Sequence, residues 1–289
     1  MRRSAFAVVA LAALAAGAAS AAAAEFPDGD ARRGAYLARL AGCIGCHTDA
    51  AAGGAPLAGG AAIETRFGTF RPPNITQHAE DGIGGWSIAD FAQAVRQGLA
   101  PDGSPYYPAF PYPSYAAFSD QDIADLYAAF RTVPAAAGGR QGNDLSFPWS
   151  VRQGLHLWRA LHLDAAPPPQ DPARSEAWNR GAWIVEGPGH CGACHTPRGL
   201  LGGQDAEDAL TGSSDGPGGG PGGGKVPAIT AAALAEKGWT ADSLATALQT
   251  GLGRSGDAFG GGMGEVVRHS TAWLTPADRA AVAAYLLEP

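Results

Sequence analysis

The chain has 289 residues, enough for one or two domains, and carries 27 acidic against 20 basic side chains for a net charge of −7. That acidity excludes nucleic acid as a natural partner, because phosphate binding runs on Lys and Arg. Abundant glycine (42) and proline (22) beside 46% hydrophobic residues fit short helices joined by long loops.

The first residues, Met1-Arg2-Arg3, are basic, residues 6–16 are apolar and small residues continue to Ala24. This order reads as a secretory signal peptide over residues 1–24, cleaved after Ala24. Its apolar core is too short to span a bilayer, so the expected mature protein is periplasmic and has no membrane span. Residues 25–140 are expected to form a first domain. Tyr36, Leu37 and Leu40 are spaced like a helix leading into Cys43-Ile44-Gly45-Cys46-His47. After Asn74-Ile75-Thr76 and His78, a helix is predicted from Trp86 to Gln97, with Phe91 and Val95 on one face and Gly98 as its stop. An aromatic cluster follows, Tyr106, Tyr107, Phe110, Tyr112 and Tyr115. Ser119 is placed to cap a helix through Ile123, Leu126 and Phe130.

Residues 141–177 read as a connector. Val151, Leu155, Trp158 and Leu161 are spaced like an amphipathic helix, and Pro167-Pro168-Pro169 is a stiff extended spacer. A second domain is expected over residues 178–289. It opens on Arg180-Gly181-Ala182-Trp183 and reaches Cys191-Gly192-Ala193-Cys194-His195. Residues 215–225 are a Gly-rich surface loop; Gly224-Lys225 is followed by Val226 and lacks the Ser or Thr of a phosphate-binding loop. Helices are predicted over residues 240–250 and 275–287, with Met263 in a glycine-rich loop between them.

All four cysteines belong to two copies of C-x-x-C-H, the signature of covalent haem attachment. The two thiols form thioethers to the haem vinyl groups and the next residue rises beneath the iron. Cys43, Cys46 and His47, and Cys191, Cys194 and His195, are thus expected to hold two covalently bound haem c groups, with His47 and His195 as proximal ligands. A four-thiolate zinc site or a pair of disulfides would leave the histidine after each pair unexplained.

The halves repeat beyond the cysteines. Arg33-Gly34-Ala35-Tyr36 matches Arg180 to Trp183, Asn74-Ile75-Thr76 matches Ala228-Ile229-Thr230, and Trp86 and Gly98-Leu99 match Trp239 and Gly251-Leu252 at an offset of 153. Met263, the one methionine after the signal peptide, is the expected distal ligand of the second haem, and thioether ligation raises a haem potential. The same offset brings Met263 onto Phe110, which cannot bind iron. For the first haem, His78 is the leading distal ligand, with an open site or a tyrosine oxygen as alternatives. His156 and His162 read as surface or packing residues, His190 is tied beside Cys191, and His269 belongs to the second domain. Arg66 and Arg71 are candidates for the haem propionates.

These motifs resemble a bacterial family of multihaem cytochromes c. It includes the cytochrome subunits of membrane-bound alcohol, gluconate and fructose dehydrogenases and their soluble dihaem relatives. The resembling stretches run from Arg33 to Thr48, from Phe67 to Trp86, from Pro101 to Tyr115, from Trp178 to Arg198 and from Gly261 to Val267. The resemblance implies a mainly α fold of two tandem class I cytochrome c-like domains. Family members often carry Met at the position of Phe110.

The expected function is electron transfer: a periplasmic dehydrogenase as donor, and a cytochrome or terminal oxidase as acceptor. Unequal distal ligands would separate the two potentials, which axial ligation tunes over about 0.8 V. The alternative is a dihaem redox enzyme, peroxidase or thiosulfate dehydrogenase-like, with its chemistry at the haem bound by His47.

Overall fold

A computed structural model describes residues 26–139, 141–163, 170–214 and 225–288. The expected signal peptide, the triple-proline spacer and most of the Gly-rich loop lie outside the described residues. The ends of that loop are joined, because Ser213 and Val226 exchange backbone hydrogen bonds of 3.0 and 2.8 Å.

In the first module, α1 (Ala31–Leu40) starts where the Asp30 carboxylate accepts the amides of Arg32 and Arg33. The first cysteine motif is itself a short helix, α2 (Cys43–His47). Strands β1 (Ile63–Thr65) and β2 (Gly68–Phe70) form an antiparallel hairpin. Helix α3 (Ile88–Gln97) begins at a Ser87/Asp90 capping box and ends at Gly98 in the left-handed conformation. A single turn, α4 (Tyr112–Tyr115), precedes α5 (Asp120–Phe130), which a Ser119/Asp122 capping box starts. The connector opens with β3 (Asp144–Leu145), which pairs with β2, and continues in α6 (Gly154–His162).

The second module runs through α7 (Glu176–Glu186), capped by Ser175, and α8 (Gly192–His195) in the second cysteine motif. It continues through α9 (Ala231–Glu236), α10 (Ala241–Thr250) and α11 (Gly261–His269). A 3₁₀ turn (Thr271–Trp273) leads into α12 (Pro276–Leu287), capped by Thr275.

Each module is closed by its first helix crossing its last, and the Arg-Gly repeat explains how. A Cβ on Gly34 of α1 would sit 1.8 Å from the Asp125 carbonyl oxygen of α5; one on Gly181 of α7 would sit 2.0 Å from the Ala281 carbonyl oxygen of α12. Only glycine allows either approach. The arginine before each glycine then pairs with the facing helix. Arg33 binds Asp122 and Asp125, and Arg180 binds Asp278 at 2.8 Å. Asp122 and Asp278 hold the same position in the two modules.

The modules share more than a connector. Leu40 of α1 is 1% exposed, yet it packs in the second module's core with Ile184, Val185, Leu248 and Val282. The Tyr36 hydroxyl donates to Asp278, and Ser270 Oγ donates to the Leu40 carbonyl at 3.2 Å.

Two expectations change. The connector helix starts at Gly154, after Val151, and is not buried along the predicted apolar face: Trp158 is buried, but Leu161 is exposed. The helix is held through Trp158, whose indole donates to the Leu201 carbonyl at 2.9 Å, and through Arg159, which donates to the Gln97 carbonyl at 2.7 Å. Met263 lies in a helix, not a loop, despite its glycine neighbours.

Candidate haem sites

The two cysteine motifs are held by the same scaffold. After each motif a threonine hydroxyl accepts a left-handed leucine's amide at 3.0 Å: Thr48 from Leu57 and Thr196 from Leu210. The leucine carbonyls accept the amides of Ile75 and Ile229 at 2.8 and 2.9 Å. This ladder brings a proline carbonyl against each proximal histidine. His47 Nδ1–H donates to the Pro73 carbonyl at 2.7 Å, and His195 Nδ1–H to that of Pro227 at 2.8 Å. A carbonyl only accepts, so the proton sits on Nδ1 and Nε2 keeps its lone pair for a metal. Sequence reading missed Pro73 and Pro227, although both prolines recur in matching segments.

Burial reinforces that donor set. It lowers the pKa of His47 and His195, against the raising effect of the proline carbonyls, and so favours the neutral, ligating imidazole. Burial, with the neighbouring thiol adding to it, pushes Cys43 and Cys191 each up to about 12. None of the four cysteines is paired in a disulfide. Among the described residues no three His, Cys, Asp or Glu gather into a cluster that could hold a metal ion, so the cysteines do not converge on one zinc site. A pair of thiols beside a carbonyl-fixed neutral imidazole, built twice, fits covalent haem c.

The two modules differ at one pair of equivalent positions. Tyr106 N donates to Gly98 O, and Phe259 N to Gly251 O, each at 2.7 Å. Bridges Leu99–Pro105 and Leu252–Ala258 repeat at the same offset. Counting four residues from either anchor reaches Phe110 in one module and Met263 in the other. Each packs against its own module's core. Phe110 is ringed by Tyr106, Tyr112 and Tyr115 at centroid distances of 6.0, 6.2 and 5.8 Å. The Tyr115 hydroxyl is spent on the Ala41 carbonyl at 2.6 Å. The buried Tyr112 hydroxyl has no hydrogen-bond partner among the described residues, and burial pushes it up to about 12. Tyr107 packs on Phe70 at 5.6 Å.

The other histidines are placed as follows. His78 Nδ1 accepts the Asp81 amide at 3.0 Å and lies 3.6 Å from Asp81 Oδ2, so its own loop holds it. His156 is exposed, and His162 packs against Trp158 in a tilted arrangement with centroids 4.8 Å apart. His269 Nε2 lies 3.2 Å from Glu265. Of the proposed propionate partners, Arg66 reaches the Gly199 carbonyl across the module boundary and Arg71 the Gly142 carbonyl at 3.2 Å.

Comparison with known proteins agrees with this geometry. The cytochrome c family model matches twice, over residues 31–132 and 179–288. A diheme cytochrome c-type protein of Cereibacter sphaeroides is 40% identical over 269 residues, covering 89% of this chain and 85% of that protein. The cytochrome c subunit of a quinone-dependent alcohol dehydrogenase from Gluconacetobacter polyoxogenes is 40% identical over 274 residues, 91% of this chain and 57% of its own. That of gluconate 2-dehydrogenase from Pantoea cypripedii is 40% identical over 273 residues, 90% and 59%. The chain thus spans a little over half the length of these two dehydrogenase subunits. With the family's domain present twice and a matched donor set in each copy, this chain belongs to the cytochrome c family and carries two covalently bound haem c groups.

Proposed function

We propose that this chain is a periplasmic dihaem electron carrier, taking electrons from a periplasmic dehydrogenase and passing them to a cytochrome or terminal oxidase. The observation that carries this reading is the mismatch at one matched position of the two modules: Met263 in one, Phe110 in the other. The dehydrogenase partner draws on the relatives named as dehydrogenase cytochrome subunits. No helix among the described residues is long and apolar enough to cross a membrane.

Haem iron, when bound, supplies one-electron redox chemistry, and the residues of this chain attach, orient and tune it. Cys43 and Cys46 would attach the first haem over His47, and Cys191 and Cys194 the second over His195. The Pro73 and Pro227 carbonyls fix the two imidazoles. Met263 is the distal ligand we assign to the second haem. For the first we assign His78; because its Nδ1 accepts the Asp81 amide, the neutral ring carries its proton on Nε2, so the ring must give up that hydrogen bond and move its proton to Nδ1 before Nε2 can bind iron. Thioether ligation raises potential, so the His195 haem is the higher-potential exit and the His47 haem the entry. A peroxidase would need polar acid–base groups above an open haem, whereas Phe110 is ringed by aromatic side chains.

Potentiometric titration of the purified protein, paired with peroxide and thiosulfate turnover assays, tests the reading. The expected result is two separate potentials, the His195 haem reducing first, and no appreciable turnover. Substantial turnover of either substrate by the protein alone would defeat the carrier reading, and reduction of the His47 haem first would reverse the proposed order.

A further inference from the structure

The residue before the first cysteine of each motif adopts a left-handed backbone, Gly42 at φ 69° and His190 at φ 39°. The two hold equivalent positions in the two modules, since Cys43 and Cys191 follow them. Glycine is the default residue for that conformation, and the first module uses it. The second uses histidine, which accepts a disfavoured backbone there, so the imidazole has a reason to be present.

The structure shows where it goes. The ring of His190 lies against its own counterpart: a Cβ on Gly42 would be 3.3 Å from His190 Cε1 and 3.8 Å from Nε2. His190 Nδ1–H donates to the Pro188 carbonyl at 2.8 Å, which fixes the ring plane. That plane stands nearly perpendicular to the Tyr115 ring, with centroids 5.9 Å apart and 87° between the planes. Tyr115 in turn donates to the Ala41 carbonyl, next to Gly42. A closed circuit of contacts therefore joins the segment that begins at Cys43 to the segment that begins at Cys191. Gly42, having no side chain, leaves the hollow that the imidazole fills.

We propose that His190 is a positioning residue that sets the electronic coupling between the two haems, by holding the two attachment segments in contact through its ring. The inference rests on the carrier reading above. It adds the residue that links the two centres and the reason that this position is not a second glycine. Because Pro188 holds the Nδ1 proton, the bridge is an oriented ring in van der Waals contact with the first attachment segment.

The test compares wild type, His190→Gly, His190→Asn and His190→Phe. Flash photoreduction of the oxidised protein is followed at the separate absorption bands of the two haems. Gly removes the ring and relaxes the backbone, Asn tolerates the left-handed backbone with a shorter side chain, and Phe keeps a ring. The expected result is that His190→Gly retains both haems and both midpoint potentials but redistributes electrons about tenfold more slowly, a barrier rise of roughly 1.4 kcal/mol. Phe restores most of the rate and Asn falls between. A merely structural role would move the potentials or haem content and would not track the presence of a ring. Unchanged inter-haem transfer in His190→Gly, or in His190→Asn should the glycine variant fail to mature, overturns the proposal. No inter-haem transfer in wild type would instead overturn the carrier reading itself.

Discussion

Met263 and Phe110 stand at one position of a duplicated scaffold, so exchanging them isolates the distal ligand from everything else. Met263→Phe should remove the sulfur-to-iron charge-transfer band of the His195 haem and lower its potential towards that of the first. The shift should be a sizeable fraction of the roughly 0.8 V that axial ligands span. Spectroscopy and redox titration of the same sample check both effects, and an unaltered band would remove Met263 from the ligand set. His78 needs its own measurement, because Asp81 holds its ring within the loop. EPR of oxidised His78→Ala should show the first haem become high-spin; a signal unchanged from wild type would eliminate His78 as ligand. At this scale the sequence was most informative where chemistry needs a particular side chain. Cysteine pairs followed by histidine leave little latitude, and a lone methionine in a cytochrome invites assignment. It was silent where a backbone atom does the work. The proline carbonyls that fix His47 and His195 are a property of chain path, and any residue type has one. The recurrence of Pro73 and Pro227 in matching segments was the available signal.

Helix crossings follow from two adjacent letters, arginine and glycine, repeated near the start of each module. Gly34→Ala puts a methyl group 1.8 Å from a carbonyl oxygen on a facing helix, which neither backbone can yield easily. It should destabilise the protein by about 3 kcal/mol, the upper range for overpacking, as read by chemical denaturation. The arginine half of the motif makes stability depend on acid. At Asp125, burial alone raises the pKa, but hydrogen bonds from Arg33, the Asp30 amide and Gln121 outweigh it and hold the group below its ordinary 3.8. Asp278 is likewise lowered, burial being outweighed by Arg180 and Tyr36. A carboxylate with a depressed folded pKa stabilises fully above its unfolded value and ceases to do so as pH falls through the folded one. Stability should therefore drop on acidification below about 3.8, and Asp125→Asn should flatten that dependence while weakening the protein at neutral pH. Helices α3, α5, α10 and α12 were legible because capping residues and apolar spacing are local. Helix α11 was not, since three glycines at its start mask a segment that packing against the second core makes helical. The β1–β2–β3 sheet was equally hidden, because its third strand comes from the connector and is two residues long.

Leu40 shows that the duplicated modules are not independent bodies. It ends the first helix of the first module, yet its side chain is buried among Ile184, Val185 and Val282 of the second. The Tyr36–Asp278 hydrogen bond joins residues 242 positions apart, and Gly45 of the first motif packs against His269 at the end of the Met263 helix. Periodicity placed Leu40 on a helix's apolar face but could not say that the face belonged to another module's core. The Leu40 side chain is part of a packed apolar cluster, so the consequence of removing it should be one of packing. Leu40→Ala is expected to cost about 2–5 kcal/mol, the range for a buried leucine truncated to alanine. Because that loss falls on the shared interface, calorimetry of the intact protein should show one transition moving down as a unit. Were the two modules independent, two transitions would appear, and the substitution would leave that of residues 178–288 unmoved. A single displaced transition, with both haem spectra unchanged below it, is the outcome that an interlocked pair of domains requires.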